Sequence, residues 1–521
     1  MFGANKFMGA IPRMAPHLLP DGYAQAAVSC DLDKGTLRPL KNHSTVATPT
    51  KVGTKLTIFP YGANWFHWLE DVDVVRAPLA GDTLNRVYFT GQGAPKATDA
   101  SIATSGGTNY PMASYALGIP APTTAPLTGL SGTATDPVDP ATQEERQYVV
   151  TYVSAWGEES PPSPPSAALT WSPGETVELT SIPAVPSGDY NIVAKRIYRT
   201  LEGEFLFVAE IDDAATTHPD SKASSALGEA LPSSTWYPPS ATLKGLRIHP
   251  AGFLVGFDGK ALAVSEPYLP HAWDANKQIV VDANIVGVEI FGQNILVATV
   301  DKPYVVSGTD PGSLSVERIE TGEKCLSKRG MADMGDFVVY PSPVGLVAIG
   351  LGVNRVLTEK MFTAEEWLAF SPATMHGVCH QGKYYGFHSS GCLIIDPKEE
   401  PTVITDNTVA TAAYSDGTDL YLMVGSNIVK WGGAGTSKTY LWRSKVERTQ
   451  PTNHARAQVF ADGLVTLRLY AGGVLKHTQS VTSSDEFPLP SGFLADEWYV
   501  ELEGTATVRE FAVGEVSEEL A

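Results

Sequence analysis

Apolar residues along this chain run in short stretches broken by Gly, Pro, Asp or Asn. That pattern predicts β-strands joined by tight turns, with little helix. Five times a Gly near a turn introduces an apolar strand, a short break and a second apolar strand. The segments are Gly252-FLVGFDGKALAVS, Gly292-QNILVATVDKPYVVS, Gly335-DFVVYPSPVGLVAI, Gly382-KYYGFHSSGCLII and Gly417-TDLYLMVGSNIVKW, with leading glycines 40, 43, 47 and 35 residues apart. A period of about 40 to 50 residues with several strands per repeat predicts β-propeller blades. A sixth candidate lies upstream, in Asn64-WFHWLEDVDVVRAP and Asp82-TLNRVYFTG.

Between these blades the pattern changes. Residues 119–143 are rich in Pro, Thr and Gly and nearly free of large apolar side chains, which predicts a linker. Gln147-YVVTYVSAWGEESPPSPPS, Thr176-VELTSIPAV, Ile192-VAKRIYRT and Glu204-FLFVAEI then read as the strands of an inserted β-sandwich of the fibronectin III type. After the last blade, Leu464-VTLRLYAGG and Trp498-YVELEGTATVREFAVGEV alternate apolar and polar residues with period two, as antiparallel strands with one wet face do. The one helix signal is Thr363-AEEWLAF, where Thr363 and Glu366 have capping-box spacing. The expected fold class is therefore all-β: a β-propeller with an inserted sandwich and a small C-terminal β-domain. The boundaries read as 1–54 for an N-terminal arm and ring-closing strand, 55–118 for the first propeller part and 119–143 for the linker. The sandwich takes 144–242, the main propeller part 243–444 and the C-terminal domain 445–521.

Composition agrees with this picture. Gly (48) and Pro (38) are abundant and charged residues only 18%, against roughly 25% in an average globular protein. No apolar run approaches the roughly 18 residues of a membrane helix, so no membrane span is expected. The opening Met-Phe-Gly-Ala-Asn-Lys has no signal-peptide pattern, and cytoplasmic assembly is expected. Four scattered cysteines, Cys30, Cys325, Cys379 and Cys392, read as reduced thiols. A net charge of −20 argues against a basic groove that holds nucleic acid.

Candidate chemistry is thin. Gly432-GAGTSKT imitates a phosphate loop, but Ser437 stands where a glycine is needed before Lys438. His376, Cys379, His380, His388 and Cys392 lie within 17 residues, yet Cys379 and His380 are neighbours on a strand and face opposite ways. This stretch reads as a core thiol with surface histidines. No catalytic residue, cofactor or metal site is nominated, and the expectation is that the chain is not an enzyme.

Several stretches resemble the nozzle, or tail tubular protein B, family of short-tailed phages. They are Leu18-LPDGYAQAAVSCDLDKGTLRPL, Tyr115-ALGIPAP, the trio Val264-SEPYLPHAW, Pro303-YVVSGTDPGSLS and Lys324-CLSKRG, and Phe487-PLPSGFLADEWYVELEGT. The resemblance implies a structural virion protein: a homo-oligomeric ring, a hexamer, in the phage tail. It would sit below the portal-adaptor ring, contact tail fibre or tail tip proteins, and pass double-stranded DNA during genome ejection. Proline-fixed, aromatic-rich stretches make Tyr268, His271, Trp273 and Tyr304 the candidate subunit or partner contacts, with a buried inter-blade loop the equal alternative for Ser265-EPYLPHAW. Acidic loops at Glu70-Asp-Val-Asp73 and Asp396 to Glu400 are candidates for an acidic lumen. The alternative function is a glycan-binding or glycan-cleaving propeller at a tail tip.

Overall fold

The leading glycine of each repeat sits in the turn between a first and a second strand, and all five have positive φ, from +54° to +95°. In the computed structural model, which describes residues 1–135, 139–397 and 402–520, the chain is all-β with blade-type sheets. The first repeat is an antiparallel meander of Lys244–Ile248, Leu254–Asp258, Ala261–Glu266 and Leu269–Trp273. The third is Ala332–Asp333, Phe337–Ser342, Gly345–Gly350 and Val353–Val356. The fourth runs from His376–His380 through Lys383–His388 and Gly391–Ile395 to Val403–Asp406. Its first turn, Gln381-Gly382, has positive φ at both central residues, the two-residue hairpin geometry that matches strand twist.

The fifth repeat is completed from the other end of the chain. Ala412–Ser415, Leu420–Val424 and Asn427–Lys430 make three strands, and Ser44–Ala47 pairs with the last of them. Second and third strands are buried along nearly their whole length because both faces are covered, as their continuous apolar runs require.

Two compact units share the chain: 1–71, 289–305 and 317–521 form one, and 72–288 with 306–316 form the other. The upstream repeat candidate is divided by this partition. Its hairpin Thr57–Tyr61 with Asn64–Trp68 belongs to the first unit. Asp73–Arg76, Val87–Thr90, Lys96–Thr98 and Tyr115–Ala116 make a four-stranded sheet in the second.

Two expected boundaries differ. Leu127–Gly132, inside the expected linker, is a strand paired along its length with Glu175–Thr180. It is an edge strand whose two leucines, Leu127 and Leu130, are exposed, so it shows no buried apolar face. Asp136 to Val138 of that linker lie outside the described residues. The sheets over 127–220 share a core of Tyr148, Val150, Val177, Leu179, Ile197 and Val208. Residues 445–521, in turn, continue a blade sheet. Ala495–Gly504 pairs with Val465–Ala471 and with Tyr440–Ser444, which pairs with Ala24–Val28, which touches Val403–Asp406. Period two is present, with Val465, Leu467, Leu469 and Ala471 buried, but periodicity names the buried face and leaves the edge partner open. The helix is Ala364–Ala369, with both capping-box bonds between Thr363 and Glu366 formed.

One buried ion pair fastens the N-terminal strand. Asp406 is fully covered and accepts from Lys438 Nζ at 2.8 and 2.9 Å, from the Ser29 hydroxyl at 2.8 Å, and from the Thr408 main chain and hydroxyl. Burial raises its carboxyl, but Lys438 and these donors outweigh burial and hold it below the usual range. Its contribution is thus present above the ordinary carboxylate range and lost as pH falls below it. Asp406→Asn leaves Lys438 covered and unpaired, and should cost about 3–5 kcal/mol in urea unfolding. The double variant Asp406→Leu with Lys438→Met should recover most of that loss.

Candidate functional site

The Ser265–Trp273 segment turns at Pro267-Tyr268, since Glu266 pairs with Leu269. Proline at the first central position and φ of +61° at Tyr268 give the type II pattern, whose second position glycine normally fills. Tyr268 therefore stands in a left-handed conformation with about half of its surface exposed. Its amide donates to Gly252 O at 2.8 Å, and a side chain at Gly252 would strike its ring.

Of the other three nominated contacts, His271 and Trp273 follow the buried-loop alternative, and Tyr304 is a correction: all three are buried within the chain itself. Trp273 donates its amide to Tyr237 O and its indole N–H to Pro270 O, both at 2.8 Å. The prolines that fix an extended path carry the segment inward, where large aromatic surface is best covered.

His271 meets residues that carried no signal in sequence. Its Nδ1 lies 3.8 Å from a carboxylate oxygen of Glu158, and its ring is edge-on to Trp236 at 5.6 Å. Glu158 comes from the Gly157-Glu-Glu turn, where the Ser154 hydroxyl accepts from the amides of Trp156 and Glu158. Its neighbour Glu159 is satisfied by Arg196, Thr151 and Tyr198. By contrast Glu158 Oε1, both ring nitrogens of His271 and the Tyr88 hydroxyl are buried with no hydrogen-bond partner. Arg86 is the adjacent cation, paired with Asp82 at 3.1 Å and lying over the Trp156 ring. Burial lifts Glu158 to about 7 and, with Arg86 assisting, presses His271 down to about 4. Both groups are thus driven towards their neutral forms, and the contact is not an ion pair near neutrality.

The motif Lys324-CLSKRG is a staple within the first unit. Ser327 Oγ donates to Met375 O at 2.8 Å, and Arg329 Nη2 donates to Leu56 O and Thr411 O at 2.7 and 2.6 Å. Lys328 pairs with Asp71 at 3.1 Å. Asp71 is thereby committed internally, as Asp73 is to Arg247 and the Gly245 amide. Of the second acidic loop proposed for a lumen, Lys398, Glu399 and Glu400 lie outside the described residues.

Lys438 of the phosphate-loop imitation is taken up by Asp406, with its ammonium 4.9 Å from the Trp431 ring centre. In the His/Cys stretch, His376 and His380 are buried, a correction to surface histidines. His376 stacks on Phe387 at 5.1 Å and is pressed down to about 3 by burial and by Arg329. Among the described residues no group of three His, Cys, Asp or Glu is placed to hold a metal. All four cysteines are free thiols.

No family model and no curated protein matches the chain. Among solved structures it is similar to BBS1N in complex with ARL6DN (11% identity, 76% of this chain and 98% of that one, TM-score 0.31). It is also similar to the AfRom2 CNH domain (8%, 72% and 98%, TM-score 0.27) and to the Neurospora crassa Pan2 WD40 domain (8%, 50% and 86%, TM-score 0.26). Overlaps of this quality carry no functional argument.

Opposed proton linkage at Glu158 and His271 yields a measurable signature. Raised in the fold, Glu158 lowers stability as pH rises from 4.5 towards 7; depressed in the fold, His271 lowers stability as pH falls from 6.5 towards 4. Between about pH 4.5 and 6.5 the two offset each other. Glu158→Gln should unmask the histidine, so that between pH 6.5 and 5 the variant loses about 1–2 kcal/mol more stability than the parent does. Urea midpoints at the two pH values check it.

Proposed function

We propose that this chain is a structural subunit of a short-tailed phage virion, the hexameric tail nozzle that joins the adaptor ring to the distal tail. It passes double-stranded DNA during genome ejection and performs no catalysis. The reading starts from the family resemblance, and the geometry of Tyr268 is the observation that supports it best. A bulky residue held at φ of +61° with about half of its surface exposed is a strained presentation, and strain of this kind persists where a contact selects it. It lies within Val264-SEPYLPHAW, one of the stretches that carry the resemblance.

Contacts in such a ring are heterologous and close on themselves. Tyr268→Asp should leave the melting temperature of the isolated chain within about 2 °C of the parent, as surface changes do. It should also abolish the six-membered species seen by native mass spectrometry in the presence of the adaptor ring. A parent chain that stays monomeric with the adaptor, or a variant that assembles normally, refutes the assignment.

A further inference from the structure

Trp431 follows the last strand of the fifth repeat and donates its amide to Leu420 O at 2.8 Å. Its indole is held by three neighbours: the His43 ring at 4.7 Å, the Tyr385 ring edge-on at 5.4 Å, and Lys438 Nζ at 4.9 Å. His43 is itself fixed, bonding Thr408 Oγ1 at 2.9 Å, and burial with Lys438 nearby presses it down to about 4, so it is neutral. The half-buried indole lines two adjoining cavities of about 290 and 560 Å³, which also share Asp31, Leu40 and Gly432. Both belong to the first unit.

The charged groups around these cavities come in partnered sets. Arg38 pairs with Asp31 at 2.8 Å, Lys430 with Asp419 at 2.7 Å, and Lys383 with Asp33. Lys41 donates to Ser437 Oγ at 3.0 Å. Asp462, the fourth acid of the lining, pairs with Arg509, so three of the four lining cations, Arg38, Lys383 and Lys430, are matched by carboxylates of the cleft. At Arg38, Lys383 and Lys430 a phosphate or a polyanion would have to displace a carboxylate from its cation. A metal ion would have to displace a cation from its carboxylate. A neutral polyol faces neither cost, because each hydroxyl both donates and accepts, and adjacent hydroxyls can bridge an ammonium and the carboxylate beside it. Indole and phenol rings beside such pairs supply the apolar contact that the ring face of a sugar needs. The volumes fall in the usual range for ligand clefts, and prior immobilisation of Trp431 lowers the ordering cost of binding.

We propose that the Trp431 cleft binds a neutral oligosaccharide, with Asp31–Arg38 and Asp419–Lys430 taking the hydroxyls and Trp431 the sugar face. Binding here is independent of the nozzle assignment, since every residue of the cleft comes from one unit of one chain. The test is calorimetric titration of the full-length monomer with maltotetraose, cellotetraose, chitotetraose and mannotetraose, with a sulfated tetrasaccharide and a single-stranded oligonucleotide alongside. At least one neutral tetrasaccharide should bind saturably with Kd of about 1 mM or tighter. Asp419→Asn should weaken that binding at least tenfold with an unchanged circular dichroism melt. Trp431→Ala should abolish it, and Trp431→Phe, which keeps an aromatic face, covers the case in which the alanine variant does not fold. No saturable binding of any neutral probe up to roughly 10 mM overturns the proposal. So does binding that Asp419→Asn or a folded Trp431→Ala leaves unchanged, or binding confined to the anionic probes.

Discussion

Asp406 and Lys438 meet where no water reaches the carboxylate, and the arrangement of the first unit follows from satisfying that charge. A buried carboxylate needs neutral donors besides its cation, because its four lone-pair sites must be filled as well as its charge balanced. The chain fills them with Ser29 from the N-terminal segment and Thr408 from the loop after the fourth repeat. Ser29 supplies that hydroxyl at φ of +54°, and the strand before it lies between Val403–Asp406 and Tyr440–Ser444. The N-terminal segment therefore joins the fourth repeat to the C-terminal strands, and the Lys438 side chain that completes the charge also positions Trp431.

Much of the fold was readable because the apolar strands of each repeat are its second and third, which are covered on both sides. First and fourth strands were harder to read: Val353–Val356 is mostly exposed and Ser44–Ala47 lies far away in sequence. Leu127–Gly132 was invisible for the same reason, since a short exposed edge strand rich in Gly, Ser and Thr resembles a linker. The capping box at Thr363 was legible because both of its partners are local.

The candidate contacts show the reverse limit. Tyr268, His271 and Trp273 have the same composition signal, and only the turn at Pro267-Tyr268 separates the exposed one from the buried two. Glu158 could not have been distinguished from Glu159 in sequence. Their environments differ because successive strand-end residues face opposite sides, one meeting Arg196 and the other His271. The Trp431 cleft draws its charges from four distant stretches of chain, around residues 31–41, 380–385, 419–432 and 462, and no local window contains the pattern.

Pairing between the two ends has a temporal consequence. Phe2–Ala4 lies against Val508–Gly514, and Ser44–Ala47 against Asn427–Lys430. On a ribosome adding about 5–20 residues per second, the first strand waits roughly 25–100 s for its partner, while most of the second unit has already emerged. During that interval the early strands carry unpaired backbone edges of the kind that recruit foreign strands. Yield of this protein in a cell is thus governed by how well those edges are shielded during synthesis, and slower translation should increase the demand for chaperones.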